Sequence, residues 1–237
     1  MRKIKWNIVV IMFTFSICMG VIGYTAIRMS DNAAVMSNIY TDDFVLIFDA
    51  GHGGIDGGCS TSEGEVEKNI NLNIVLSLND LSKFFGYNVE MTRKTDKSIH
   101  DKGITGIRNQ KISDMKNRLE LFNKYSNAIC ISIHQNTFSD SQFNGAQMFY
   151  SDKNTESERL ASLMQEQFVN NLQPNNQREI KLCGEELYLC YFCTNPTVMV
   201  ECGFLSNPTD ADNLTDANYQ KKVAFTVFSG INKFINV

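Results

Sequence analysis

Three short apolar runs constrain this chain most: Phe44-Val45-Leu46-Ile47-Phe48, Ala128-Ile129-Cys130-Ile131-Ser132-Ile133 and Thr197-Val198-Met199-Val200. Runs of this kind read as strands buried on both faces, the condition of the inner strands of a parallel sheet. Longer amphipathic stretches separate them. In residues 69–85, Ile70, Ile74, Leu78 and Leu81 recur at three- and four-residue spacing, with Leu72, Val75 and Phe85 widening the stripe. That pattern predicts a helix, closed by Gly86 as a C-terminal cap. Further helices are expected over residues 115–125, 157–172 and 219–235, and further strands over 87–92, 145–150 and 187–189. The alternation predicts a single α/β domain with a mostly parallel, twisted sheet covered by helices on both faces. Ligands bind such sheets outside the carboxyl ends of the strands.

Those strand ends carry the chemistry. The chain has 3 histidines. His52 and His134 follow apolar runs, and Glu201 follows a third. In a parallel sheet these residues converge on one side of the domain. A catalytic zinc takes three protein ligands from imidazole and carboxylate and keeps a fourth position for water. Glu63, Glu65 and Glu67 all follow His52 closely enough to supply the carboxylate. Spacing alone does not choose among them, and Glu201 is a further acidic group at the same rim. Arg93 and Arg118 are of a type that pairs with substrate carboxylates and equally with structural ones. His100 and Asp101 read as a solvated turn, whereas Gln135 and Asn136, just past His134, are placed to line a cleft.

Four segments also carry a resemblance. Asp49-Ala50-Gly51-His52-Gly53-Gly54, Glu67-Lys68-Asn69-Ile70-Asn71-Leu72, Ser132-Ile133-His134-Gln135-Asn136 and Val200-Glu201-Cys202-Gly203-Phe204-Leu205-Ser206-Asn207 stand in the order and at the intervals of one enzyme family. The segments resemble the zinc-dependent N-acetylmuramoyl-L-alanine amidases of the amidase-3 family, with Thr92-Arg93-Lys94-Thr95-Asp96 and Asn117-Arg118-Leu119 adding to the likeness. The resemblance implies one Zn2+ ion held by His52, Glu67 and His134, with Glu201 as the catalytic glutamate. It also implies a substrate: the peptidoglycan amide between the lactyl group of N-acetylmuramic acid and L-alanine. The stretch from Asn136 to Gly145 is too short for the plug helix that some of these amidases insert there, and the Gly145-Ala146-Gln147 strand looks most like the germination-specific amidases of the spore cortex. The product of those enzymes feeds muramic-δ-lactam formation. The family also leaves room for an activating accessory protein as partner. A zinc peptidase acting within the stem peptide and a catalytically inactive wall-binding protein are the competing expectations.

Composition bears on location. Arg2, Lys3 and Lys5 precede a stretch, residues 7–27, without a single charge, long enough to span a bilayer as a helix. The basic flank predicts a cytoplasmic N-terminus and an exported remainder. Residues 1–27 thus read as an uncleaved signal anchor or as a signal peptide removed after export, with Ala33-Ala34 the nearest small-residue pair. Residues 28–43 read as a polar tether, and residues 44–237 as the catalytic domain. No wall-binding repeat follows, so the N-terminal segment is the expected device for holding the chain near its polymer, at the membrane or secreted from it. A net charge of -4 excludes the basic face that a nucleic-acid partner requires. Of 7 cysteines, Cys130 and Cys202 sit in apolar runs as small hydrophobes, while Cys183–Cys193 or Cys190–Cys193 pairing is open.

Overall fold

The computed structural model describes residues 44–236. Its elements, in chain order, are β1 (Val45–Ala50), α1 (Glu67–Phe84), β2 (Val89–Met91), α2 (Ile107–Phe122), β3 (Ala128–Asn136), β4 (Gln147–Tyr150), α3 (Glu156–Asn171), β5 (Lys181–Leu182), α4 (Tyr188–Phe192), β6 (Thr197–Phe204), α5 (Pro208–Thr215) and α6 (Ala217–Asn236). The strands form a 6-stranded sheet in the order β2-β1-β3-β6-β4-β5. β2, β1, β3 and β6 run parallel, and β4 joins β6 antiparallel. The expected single α/β domain with a mostly parallel sheet is the fold found.

The three apolar runs occupy the centre of the sheet because they alone can be covered on both sides. α1 and α3 both pack against α6, making one covering layer. Ile70, Ile74, Val75 and Leu78 of α1 and Val223, Val227 and Ile231 of α6 are the buried stripes. On the opposite face α2 packs with α4, over a cluster of Ile47, Phe122, Cys130, Leu189 and Cys193. Gly86 caps α1 as expected: with φ +87 it returns its N–H to the Lys83 carbonyl.

Several elements depart from expectation. α2 begins at Ile107, well before residue 115, and its early residues are largely exposed, so no apolar stripe announces them. Side-chain bonds fix that turn instead. Asp114 accepts from the Ile99 N–H, and Asn117 donates to the Ile99 carbonyl. Residues 187–189 are not a strand; Tyr188 starts the short helix α4. Residues 208–215 form a helix whose start is chemical and not periodic: the Asn207 side chain caps the Asp210 N–H, and Pro208 holds the first turn. β3 and β6 continue past residues 133 and 200, so His134 and Glu201 lie within strands and only His52 lies beyond one.

The charge-free stretch, residues 7–27, and the tether, residues 28–43, lie outside the described residues. Among the described residues no helix is long and apolar enough to cross a membrane. The described cysteines are free thiols. Their close neighbours differ from both expected pairings: Cys183 stands beside Cys190, and Cys130 beside Cys193.

Candidate metal centre

Four segments bring the site together. β3 delivers His134 and β6 delivers Glu201, which are direct register partners. In paired strands, register partners leave the same face of the sheet. That face is the one covered by α2 and α4, since Asp49, Ser132 and Met199 share it by alternation. His52 enters from the loop after β1 with φ +63, a left-handed conformation uncommon for a residue with a Cβ. Glu67 comes from the first turn of α1, where the helix N-terminus favours a carboxylate.

The resulting geometry singles out one carboxylate. Glu67 Oε2 lies 3.2 Å from His52 Nε2, and its Oε1 lies 3.1 Å from His134 Nδ1. The ligand atoms of His52, Glu67 and His134 all lie within 4.8 Å of one another. Glu63 and Glu65 are exposed, whereas Glu67 is buried. Two imidazoles and one carboxylate are a donor set suited to zinc. Glu201 stands beside this trio with its Oε2 buried and unpartnered among the described residues. A buried carboxylate oxygen without a donor is costly, and it marks a place where a water or substrate proton belongs. The residues present fit a bound ion with an open side.

A supporting layer holds each ligand in place. His52 Nδ1 meets Asp56 Oδ2 at 3.0 Å, and Lys111 holds Asp56 at 2.7 Å. Such carboxylate–histidine pairs set the tautomer and orientation of a metal-binding ring. Glu67 accepts from the Cys59 N–H at 2.9 Å, the Gln135 N–H at 3.0 Å and Asn71 Nδ2 at 3.1 Å. Gln135 in turn donates to Asn71 Oδ1 at 3.0 Å. Two glycines leave room. A Cβ on Gly51 would stand 2.3 Å from the His134 ring, and one on Gly58, at φ +72, would stand 2.4 Å from Glu67 Oε2.

Electrostatics divides the two glutamates. Burial would raise Glu67, yet hydrogen bonds from His134 and His52 outweigh it and hold the carboxyl far below its usual range. His134 loses charge stability to burial but gains more from Glu67, and is raised to about 9. Glu201 has no such donors, and burial, with Glu67 adding, pushes it up to about 7. A carboxyl poised near neutrality suits proton transfer, whereas one held ionised suits a cation.

The two arginines are structural. Arg118, 1 % exposed, pairs with Asp49 and Asp114 and donates to the carbonyls of Ala50 and His52. Arg93 donates to the carbonyls of Ala50, Gly51 and Lys68. Together they clamp the loop that presents His52. The Asp101 carboxylate accepts from Ser113 and Asn117, and His100 meets Ser98, so that loop is pinned to α2 and takes no part in the site. Asn136 lines a groove with Gln147 and Phe204, while Gln135 is buried and donates its N–H to Glu67. Sequence reasoning missed Asp56, Asn71 and Cys59. Asp56 follows His52 by four residues and Asn71 follows Glu67 by one helical turn, which is the only local signal of either.

Comparison with known proteins places the chain among amidases. The family model described as N-acetylmuramoyl-L-alanine amidase (Amidase_3) matches residues 46–233. The germination-specific N-acetylmuramoyl-L-alanine amidase of Bacillus subtilis (strain 168) is 33% identical over 190 residues, 80% of this chain and 79% of that protein. The CwlD amidase of Clostridioides difficile, solved in complex with the GerS lipoprotein, superposes with a TM-score of 0.77 at 36% identity, covering 80% of this chain and 97% of that one. An N-acetylmuramoyl-L-alanine amidase from Clostridium difficile 630 gives a TM-score of 0.69 at 26% identity, covering 83% and 98%.

Proposed function

Because the chain belongs to the Amidase_3 family of N-acetylmuramoyl-L-alanine amidases, we propose that it is a zinc enzyme in which His52, Glu67 and His134 hold the ion and Glu201 moves the proton. Its activity is hydrolysis of the muramoyl–alanine amide of peptidoglycan, outside the cytoplasm. The observation that carries the zinc reading is the convergence of three ligand atoms within 4.8 Å beside the register partner of His134. When bound, the ion would polarise the scissile carbonyl and lower the pKa of the attacking water.

The chain's own residues do the rest. Glu201 Oε2, free of other donors, accepts a proton from the water and returns it to the departing alanine nitrogen. Burial, which raises this carboxyl, favours its holding that proton until the nitrogen departs. Asp56 keeps the His52 ring aimed, and Asn71 with the Gln135 N–H keeps the Glu67 carboxylate from swinging.

The finer role we propose is in spore-cortex remodelling on the way to muramic-δ-lactam, supported by the likeness to the germination-specific enzyme. A protein partner is supported by the likeness to CwlD, which was solved with a lipoprotein. Residues 1–27, as a signal anchor or signal peptide, would deliver residues 44–237 as the catalytic domain to the outer face of the membrane. That reading is supported by the charge-free stretch behind a basic flank.

Purified peptidoglycan incubated with the chain, with and without added zinc, tests the function by mass spectrometry of the products. Zinc-dependent release of stem peptides with a free N-terminal alanine, leaving lactyl carboxylates on the glycan, is expected. Fragments cut within the stem peptide would overturn the amidase assignment.

A further inference from the structure

We propose that Arg178, seconded by Lys181, is a specificity-determining residue that binds a carboxylate of the stem peptide on the leaving-group side of Glu201. This rests on the peptidoglycan amidase reading and adds the part of the substrate that the enzyme selects.

The placement follows from the sheet. Gln147 of β4 is the antiparallel register partner of Glu201, so its side chain leaves the same face from a Cα about 5 Å away. Strict alternation along β6 would turn Phe204 to the other face. A register shift past His134 instead pairs Phe204 with Asn136, which shares the face of His134. Asn136, Gln147 and Phe204 therefore floor a groove of about 250 Å³ that extends toward the β4–β5 edge, with Gln147, the register partner of Glu201, at its near end.

The groove is built for a chain with a negative charge. Its wall includes Phe138, 54% exposed, and Phe143, 45% exposed, stacked edge to face at 5.0 Å. The wall is held in place by bonds from the Phe138 N–H to Ser206 Oγ and from Asn207 Nδ2 to the Ser141 carbonyl. Arg178 lies across the groove, its guanidinium 4.4 Å from the Phe204 ring centre. Nε donates to the Asn144 carbonyl and Nη1 to Gln147 Oε1, which fixes the plane of the fork. Among the described residues neither Arg178 nor Lys181 has an ion-pair partner. The nearby Asp210 accepts the N–H groups of Gly145 and Phe204 on Oδ2 and acts on Arg178 through its charge without closing an ion pair. An oriented guanidinium that closes no ion pair, beside exposed aromatic rings, is the chemistry that recognises a carboxylate on a peptide.

Within the substrate only one part supplies it. The glycan is uncharged once its lactyl group is tied up in the amide, so the negative charge lies on the stem peptide. Arg178 bonds Gln147, and Gln147 is the register partner of Glu201, so the carboxylate it meets is one on the stem peptide close to the cleaved bond.

Two soluble muramoyl peptides test this, one with that carboxylate free and one with it amidated. Their affinities are measured on the zinc-loaded Glu201→Gln chain, which leaves the substrate intact. The free acid should bind at least tenfold more tightly than the amide. The additional change Arg178→Gln should bring the two within about twofold, and Lys181→Gln, on the exposed edge strand, should narrow the gap by a smaller factor. The ratio of kcat/KM for the two peptides on the chain with Glu201 intact gives a second reading. Equal binding of acid and amide by the parent, or a preference that survives Arg178→Gln, would overturn the proposal. Product analysis on unmodified wall tests the amidase reading separately and does not depend on Arg178.

Discussion

Glu201 stands directly across from His134 in the parallel register of β3 with β6, and the two side chains share one face of the sheet. A slip of one residue in that pairing would send one of them into the opposite helical layer. The group proposed for proton transfer and the proposed metal ligand are therefore set at a fixed spacing by backbone hydrogen bonds alone, with no contact between the side chains required.

Glu201→Gln keeps the volume and removes the titratable oxygen. Hydrolysis is expected to fall by roughly 10²–10⁴, while bound metal, read by elemental analysis, stays at one ion per chain. Full activity with metal retained would remove Glu201 from the mechanism.

Stability against pH gives an independent reading of the same carboxyl. In the chelator-treated chain, burial raises Glu201 from 4.5 to about 7, so the folded state holds a proton there that the unfolded state releases. The stability that goes with this proton is fully present below 4.5 and is lost as pH rises to about 7. Glu201→Gln has no proton to lose. Denaturant unfolding should find the two forms alike near pH 4, with the variant ahead by on the order of 3 kcal/mol near pH 8. A gap that does not change with pH would mean that Glu201 is ionised throughout.

Gly51→Ala places a methyl group where the His134 ring lies, 2.3 Å from its nearest atoms. The ring must turn, and we expect metal affinity to drop by roughly 10–100-fold. Competition with a chromophoric chelator measures it, and unchanged far-ultraviolet circular dichroism would show that the sheet survives.

Arg118→Met leaves Asp49 buried without its cation, and strands the carbonyls of Ala50 and His52. Breaking a buried pair from one side costs about 3–5 kcal/mol. For a domain of this size that is a fall in Tm of roughly 6–20 °C. A variant that melts with the wild type but binds substrate poorly would make Arg118 a substrate contact instead of a clamp.

What was legible in the chain followed one rule: a signal carried by several adjacent residues survives, and a signal carried by one contact does not. The apolar runs at 44–48, 128–133 and 197–200 are strong because each side chain repeats the same preference. The first turns of α2 carried no such repetition, since their partners are the Ile99 backbone and Asp101 across a loop. The short helix α4 was hidden for a related reason. Leu189 and Cys190 are buried against α2 and the sheet, and five residues are too few to show a helical period. Among the three candidate carboxylates, the family resemblance selected Glu67. The reason in physical terms is the N–H of Gln135 and the amide of Asn71, neither of which is near it in sequence except by one helical turn.

By itself the sequence determined the class of fold, the central strands, and the residues His52, His134 and Glu201 as rim chemistry, because burial of apolar strands and a parallel connection leave only one edge for them. Tertiary structure alone decided that Glu67 lies buried between the two imidazoles while Glu63 and Glu65 stay exposed, that Arg93 and Arg118 brace the His52 loop, and that Phe204 turns onto the site face through a bulge. Each of these depends on where one carbonyl, one ring or one register shift falls in space. No local pattern of side chains encodes that position.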